Sequence, residues 1–150
     1  MSVFLVVLGL LGCLTQCGNE RTALERTIVL PNDHEGWVVI EYGVDGALTP
    51  SAADGQTQIT VPATGRIQLS TPFQSGPTSD QYQLTNGTAM HTLTADRLSR
   101  GDEHDAVRPT PFVCCGGTRT VQDVSGGGAK RVFEYFYVGK GPAGETPTIP

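Results

Sequence analysis

The chain has 150 residues, which is enough for one domain with a core once an apolar N-terminal segment is set aside, and too short for two ordinary domains. Its 10 Lys and Arg are scattered against 15 Asp and Glu, a formal net charge of −5, so no basic patch is present and nucleic acid is excluded as an expected partner. With 19 Gly, 10 Pro and only 17% charged residues, the composition favours a turn-rich β protein over a helical one.

The N-terminal segment predicts export and a lipid anchor. An apolar run from Val3 to Leu11 leads into Gly12 and Cys13, and Leu10-Leu11-Gly12-Cys13 resembles the lipobox of bacterial lipoproteins. A run of about nine residues is too short to cross a bilayer as a helix but typical of a signal-peptide core. We therefore expect residues 1–12 to be a signal peptide and Cys13 to carry the lipid, with acyl chains such as palmitate.

Alternatives to this anchor remain open. Cys17, at the end of Leu14-Thr15-Gln16-Cys17, is a second possible lipid acceptor, and a plain secretory signal would release a secreted protein. No Lys or Arg precedes the apolar run, although signal peptides normally begin with positive charge. Residues 13–26 are interpreted as a tether beside the membrane, and Leu14 after Cys13 favours the outer membrane if the host is a diderm.

Short β-type segments begin at Thr27. Thr27–Leu30 is followed by Trp37–Tyr42, which is apolar on both faces and indicates a central strand. Gln56–Val61 and Arg66–Ser70 both alternate apolar and polar residues. This period of two predicts that they pair as an antiparallel hairpin with one solvent-facing side.

A second hairpin is predicted at Asn86-Gly87. These residues join Asp80–Thr85 to Thr88–Leu93, and they are the preferred pair for a two-residue type I′ turn, in which both positions have positive φ. Ala95–Pro111 is polar and charged, which indicates a long loop.

The C-terminal third contains the most β-prone segment, Arg131–Val138, with Phe133, Tyr135 and Tyr137 on one face. Phe112–Cys115 is a short apolar run before two glycines, and Thr118–Val124 is a possible strand. Residues 140–150 are Gly- and Pro-rich and are interpreted as a flexible tail.

These segments predict one all-β domain over residues 27–139, an antiparallel β-sandwich or partly open barrel of about seven or eight strands. The expected core consists of the inward positions of the alternating segments. They are Trp37, Val39, Ile59, Val61, Ile67, Leu69, Tyr82, Leu84 and the aromatic face of Arg131–Val138.

The four cysteines leave their pairing open. If Cys13 carries lipid, then Cys17, Cys114 and Cys115 remain, an odd number. An oxidised Cys114–Cys115 pair, a bridge from Cys17 to one of the two, and reduced thiols are all compatible with the sequence. No C-x-x-C pair or histidine at ligand spacing is present, so no zinc or other metal is expected, and no cofactor is implied.

Candidate catalytic residues are few. His104 lies among Asp102, Glu103 and Asp105, but consecutive residues cannot all face one ion, and a solvated loop is the simpler interpretation. A thiolate pair between Cys114 or Cys115 and a distant histidine (His34 or His91) lacks a local signature, and no G-x-S-x-G motif occurs. No catalytic residue is therefore predicted.

Several motifs together resemble an uncharacterised family of bacterial envelope domains. They are Gly36–Gly43 (GWVVIEYG), Val61-Pro62 with Gly65, Ile67 and Ser70, and Phe136–Gly139 (FYVG). Family members have a G-W-V-x-I-x-Y-G motif near the start and an aromatic V-G motif near the end, and the resemblance covers about Pro31 to Gly139. It implies a β-rich lipoprotein domain and assigns no activity or site residue.

The sequence thus predicts a non-enzymatic lipoprotein of the cell envelope that contacts the membrane through its anchor. Its expected partner is an envelope protein or a glycan, bound through one sheet face or through Ala95–Pro111. The alternative is an exported thiol-redox or hydrolytic enzyme that uses Cys114 and Cys115.

Overall fold

The computed structural model describes residues 24–53, 56–95, 107–122 and 130–149. This part of the chain contains nine β-strands and no helix. The strands are β1 (Leu24–Pro31), β2 (Gly36–Tyr42), β3 (Ser51–Ala53), β4 (Gln56–Thr60), β5 (Arg66–Leu69), β6 (Thr78–Thr85), β7 (Met90–Ala95), β8 (Phe112–Val121) and β9 (Arg131–Gly139).

The strands form one curled sheet in the order β3-β4-β1-β6-β7-β8-β9-β2-β5, which makes a half-barrel. The pairs β3/β4, β6/β7, β8/β9 and β9/β2 are antiparallel, whereas β4/β1, β1/β6, β7/β8 and β2/β5 are parallel. The prediction of an all-β, partly open barrel is confirmed. The sheet has nine strands and is mixed, where seven or eight antiparallel strands were predicted.

The predicted hairpin of Gln56–Val61 with Arg66–Ser70 is wrong. β4 pairs with β1 and β3, whereas β5 pairs with β2. The amide of Val61 donates to the carbonyl of Val29 (2.8 Å), and the amide of Val39 donates to the carbonyl of Gly65 (2.8 Å). The chain therefore crosses from one end of the sheet to the other between these strands. Alternation fixes which face of a strand is buried, but it does not fix the neighbour.

The hairpin of β6 with β7 is confirmed, but its turn differs from the predicted one. Thr85 pairs with Met90, so four residues lie between the strands. The side-chain oxygen of Asn86 accepts hydrogen bonds from the amides of Thr88 (3.0 Å) and Ala89 (2.9 Å). Asn86 does not have the positive φ of a type I′ turn, since Cys115 is the only described non-glycine residue with one. The hydrogen bonds from the turn amides to its side chain stabilise this turn instead.

Two strand boundaries also differ from the sequence interpretation. β8 continues from Phe112 to Val121 through both glycines, with a register shift between Cys114 and Gly117, where two separate segments were predicted. β1 begins at Leu24, so residues 24–26 of the predicted tether belong to the domain.

The core inside the half-barrel is formed by alternate residues of the strands, whose side chains point inward. Its fully buried members include Ile28, Ile40, Ile59, Leu69 and Val138. Four predicted core residues (Ile59, Val61, Leu69 and Leu84) are buried in this interior, whereas Val39, also predicted to face inward, is buried on the opposite face of the sheet. Trp37, Ile67 and Tyr82 are partly buried.

The aromatic face of β9 does not point into this core. Phe136 contributes to the interior cluster, whereas Phe133 and Tyr137 pack in two clusters on the opposite face of the sheet. Those clusters include Ile149 and Ala143, which are buried. The segment interpreted as a flexible tail therefore packs against the sheet, because β2 and β9 are apolar on both faces and need a second cover.

The turn before β5 provides a test of this fold. A Cβ at Gly65 (φ +71°) would lie 2.6 Å from the carbonyl oxygen of Trp37, whereas one at Gly46 (φ +73°) would meet nothing within 4 Å. Both Gly→Ala variants should lose about 1–2 kcal/mol to left-handed backbone strain. Gly65→Ala should lose about 1–3 kcal/mol more through the clash. Urea unfolding measures both losses, and equal losses would contradict the packing of Gly65 against β2.

Candidate functional site

A charged cluster lies inside the half-barrel. Arg26 on β1, Asp80 on β6 and Glu134 on β9 have side-chain exposures of 10%, 12% and 14%. Each precedes an interior residue by two positions in its strand (Ile28, Tyr82 and Phe136). Period-two geometry therefore turns all three side chains toward the same interior.

The guanidinium of Arg26 uses every N–H that it has. Nε and Nη2 donate to the carboxylate of Asp80 at 2.8 and 2.6 Å, and Nη1 and Nη2 donate to Glu134, both at 2.8 Å. Nη1 also donates to the hydroxyl of Tyr42 at 2.9 Å. A guanidinium has five N–H donors, so none remains for an anionic ligand.

Two tyrosines complete the cluster. The hydroxyl of Tyr42 donates to Oε2 of Glu134 at 2.6 Å, and Tyr82 lies beside Asp80. Burial raises the pKa of Tyr42 well above its ordinary value, and the negative charge of Glu134 raises that pKa further. Burial and then Asp80 do the same to the pKa of Tyr82. Both phenols therefore stay protonated at physiological pH.

Arg26 stays protonated as well. Burial alone would lower the pKa of its guanidinium, but the hydrogen bonds to Asp80 and Glu134 more than reverse this effect, so the pKa lies above its ordinary value. The hydrogen bonds of this cluster thus connect β1, β6, β9 and β2.

A pocket of about 160 Å³ opens beside this cluster, at the seam where the two ends of the sheet approach each other. Its lining residues come from β3, β4 and β1 at one end of the strand order and from β2 and β5 at the other. They are Leu24, Arg26, Tyr42, Pro50, Ser51, Ala52, Thr57, Ile59, Leu69, Thr71, Pro72 and Gln74.

The pocket has an apolar floor and a polar rim. Tyr42, Ile59 and Leu69 are buried. The exposed lining residues are small, polar or proline: Ser51, Ala52, Thr57, Pro72 and Gln74. Buried apolar side chains below a ring of exposed neutral residues are typical of a site that anchors one group of a ligand.

The segment between β2 and β3 crosses the seam above this floor. Leu48 bridges Leu69 in parallel, and the amide of Ser70 donates to the carbonyl of Leu48 at 2.9 Å. The same segment then pairs with β4 through β3. Pro50 and Ser51 thereby form part of the pocket wall.

The adjacent cysteines lie elsewhere, on the opposite face of the sheet. The sulfur atoms of Cys114 and Cys115 are joined, and Cys115 has a φ of 61°. Their cluster contains Trp37, Tyr137 and other apolar residues. The guanidinium of Arg108 lies 4.5 Å from the ring centroid of Phe112, which belongs to the same cluster.

The two histidines considered as partners of these cysteines lie in other places. His34 packs beside Gly65, where burial lowers its pKa, and His91 is exposed on β7. Among the residues that the structure describes, no group of three or more His, Cys, Asp or Glu is arranged to hold a metal ion. No helix in those same ranges is long and apolar enough to span a membrane.

Several predicted features lie outside the described residues. They are Cys13, Cys17, His104 with its acidic neighbours, and residues 96–106 of the predicted long loop.

The sequence interpretation missed the charged cluster. Asp80 and Glu134 each stand in phase with apolar inward residues, which is a readable signal for a buried carboxylate. Arg26 stands in phase with Ile28 but was assigned to the tether, because the preceding residues are polar and charged.

Two comparisons with known proteins bear on this chain. A family model described as a family of unknown function (DUF6843) matches residues 23–145. A crystal structure of a "putative lipoprotein" from Bacillus anthracis is similar with a TM-score of 0.54 and 18% identity, over 83% of this chain and 82% of that one. At this identity the similarity shows the fold alone. No curated protein matches.

The charged cluster predicts a large effect of losing its cation. Arg26→Met leaves the carboxylates of Asp80 and Glu134 buried without a counter-charge, and we expect a loss of about 3–5 kcal/mol in the free energy of unfolding. Arg66→Met, at an exposed position on β5, should change it by no more than about 0.5 kcal/mol. Urea unfolding measures both.

A third variant isolates the role of charge. Adding Asp80→Asn and Glu134→Gln to Arg26→Met should recover part of the loss, because it removes the unpaired buried charges. A triple variant no more stable than Arg26→Met would contradict the electrostatic explanation, and so would equal losses for Arg26→Met and Arg66→Met.

For the cysteines we propose that the oxidised pair is the native state and that it adds little stability. A bond between neighbours closes almost no loop, so reduction should leave the melting temperature nearly unchanged. Changing both Cys114 and Cys115 to Ser should cost on the order of 1–3 kcal/mol, because Cys114 is buried. Thermal melts with and without reductant measure this. A large decrease on reduction would indicate a bridge to a distant cysteine such as Cys17.

Proposed function

The chain belongs to the DUF6843 family of unknown function, and we propose that it is a lipid-anchored, non-enzymatic binding module of the bacterial cell envelope. The anchor is Cys13, within the lipobox-like Leu10–Cys13. The similarity to the Bacillus anthracis protein, whose description names a lipoprotein, supports this placement.

The pocket at the seam is the observation that carries the binding role. Among the described residues that line it, Arg26 and Tyr42 are the only ionisable ones, and both have raised pKa values. Hydrogen bonds to Asp80 and Glu134 also occupy the Arg26 donors. A general base must take up a proton near neutral pH, and neither group does so. The described lining therefore suits the pocket to holding a ligand.

The aromatic face of β9 is less suited to a glycan. The ring of Trp37 packs against those of Tyr135 (centroids 6.1 Å apart, planes at 59°) and Tyr137 (5.6 Å, 69°). Rings that pack on one another do not present the open flat surface on which a sugar stacks. The alternative of a thiol-redox or hydrolytic enzyme lacks support, because neither the family description nor that of the similar structure names such an activity.

The anchor is tested in a bacterial host that processes lipoproteins. Wild type and Cys17→Ser should incorporate radiolabelled palmitate and remain with the membrane fraction, whereas Cys13→Ser should lose the label and become soluble. The reason is that a thiol at position 13 is the only acceptor that directly follows a small residue in the apolar segment. Loss of the label in Cys17→Ser but not in Cys13→Ser would identify Cys17 as the anchor. An unlabelled wild-type protein would contradict lipidation.

Binding at the pocket is tested in the same cells. A photoreactive residue in place of Ala52, on the exposed rim, should cross-link to an envelope component. The same residue in place of Thr92, exposed on β7, should not. Equal cross-linking from both positions, or none from Ala52, would contradict a ligand at the seam.

A further inference from the structure

The size of the pocket limits what it can hold. Its volume of about 160 Å³ is close to that of an engineered cavity of about 150 Å³ that binds benzene. Sites for whole small molecules or cofactors are about 300–1,000 Å³. One aromatic ring or one branched aliphatic group therefore fits, and a glycan chain or a full acyl chain does not.

The floor of the pocket selects for apolar groups. Ile59 and Leu69 are almost completely buried. The hydroxyl of Tyr42 is engaged by Arg26 and Glu134, so Tyr42 offers its ring. Phe73 fixes that ring edge-on, with centroids 5.3 Å apart.

Charged groups are disfavoured in both signs. An anion would find no free donor on Arg26, because all five N–H groups are used. A cation would find no carboxylate among the described lining residues, and the carboxylates of Asp80 and Glu134 are already engaged by Arg26. A charged ligand would therefore lose its hydration without gaining a partner.

The rim suits a peptide. Ser51, Thr57, Thr71 and Gln74 surround the mouth, and their side chains both donate and accept hydrogen bonds. A peptide that inserts one side chain brings backbone amides and carbonyls to this level, whereas a hydrocarbon chain brings none. Protein interfaces commonly combine one apolar anchor with such a neutral polar rim.

We propose that this pocket anchors a single uncharged apolar side chain, of the size of Leu or Phe, from a protein partner. The inference rests on the proposed binding function and specifies its ligand class.

Blocked amino acids test this assignment. N-acetyl-leucine amide and N-acetyl-phenylalanine amide should bind at least tenfold more tightly than the corresponding lysine and glutamate amides, methyl glucoside or octanol. Chemical-shift changes in ¹H–¹⁵N spectra give the affinities, and the amides of Ile59 and Leu69 should respond.

Two matched variants locate the site. Thr57→Phe, at an exposed strand position that lines the pocket, should reduce binding at least tenfold by filling it. Thr92→Phe, at an exposed strand position away from it, should change binding less than twofold. Circular dichroism confirms that both variants remain folded.

Each other outcome overturns the inference in a distinct way. Preferential binding of the glutamate or lysine amide would show a charged ligand, that of methyl glucoside a sugar, and that of octanol a lipid chain. If no probe binds while Ala52 still cross-links in cells, the binding module stands and the single-side-chain anchor is wrong. Equal effects of the Thr57 and Thr92 variants would place the probe elsewhere.

Discussion

The buried guanidinium of Arg26 is the constraint on which the interior depends. Its two carboxylate partners are 54 and 108 residues away in sequence, and with Tyr42 they connect strands from both ends of the sheet order. Removing an ion from water is costly unless nearly all its hydrogen bonds are replaced. All five donors of Arg26 find partners only when β1, β6, β9 and β2 curve around one point. The contacts of the cluster therefore require the curvature of the half-barrel, which also brings the two ends of the sheet together at the seam.

The outer face of the sheet obeys a different requirement. β2 is apolar on both faces, so a half-barrel with a single core would leave Val39 and Trp37 in water. The packing of Phe133 and Ile149 against Val39 buries that side chain, and the packing of Tyr137 against Trp37 buries part of the indole. Among the described residues, Glu41 is the one buried carboxylate on this face, and it accepts hydrogen bonds from Arg131 and Gln68. The outer face of the sheet is therefore covered independently of the interior, and the interior can contain a partly open pocket.

The sequence predicted local structure well and long-range structure poorly, for physical reasons. Alternation in Asp80–Thr85 and Arg131–Val138 identified strands, and the short connection at Asn86 made β6 and β7 neighbours. The alternation of Gln56–Thr60 identifies its buried face but not the neighbouring strand, because many strands could pair with it and keep that face buried. The pocket joins residues from both ends of the strand order, so it could not be predicted without that order. Asp80 and Glu134, in phase with apolar residues of predicted strands, carried a sequence signal for the charged cluster, whereas Arg26 lay before the first predicted strand.

Leu24 is the first residue of β1 and also lines the pocket. Eleven peptide steps separate it from Cys13, a span of at most about 40 Å when fully extended. If Cys13 carries the lipid, Leu24 in the wall of the pocket lies no farther than that distance from the bilayer surface. Encounter with a partner in the same membrane is then a search in two dimensions at high effective concentration, and a modest intrinsic affinity suffices for occupancy. A protein released from the membrane would lose this advantage while its pocket remained unchanged.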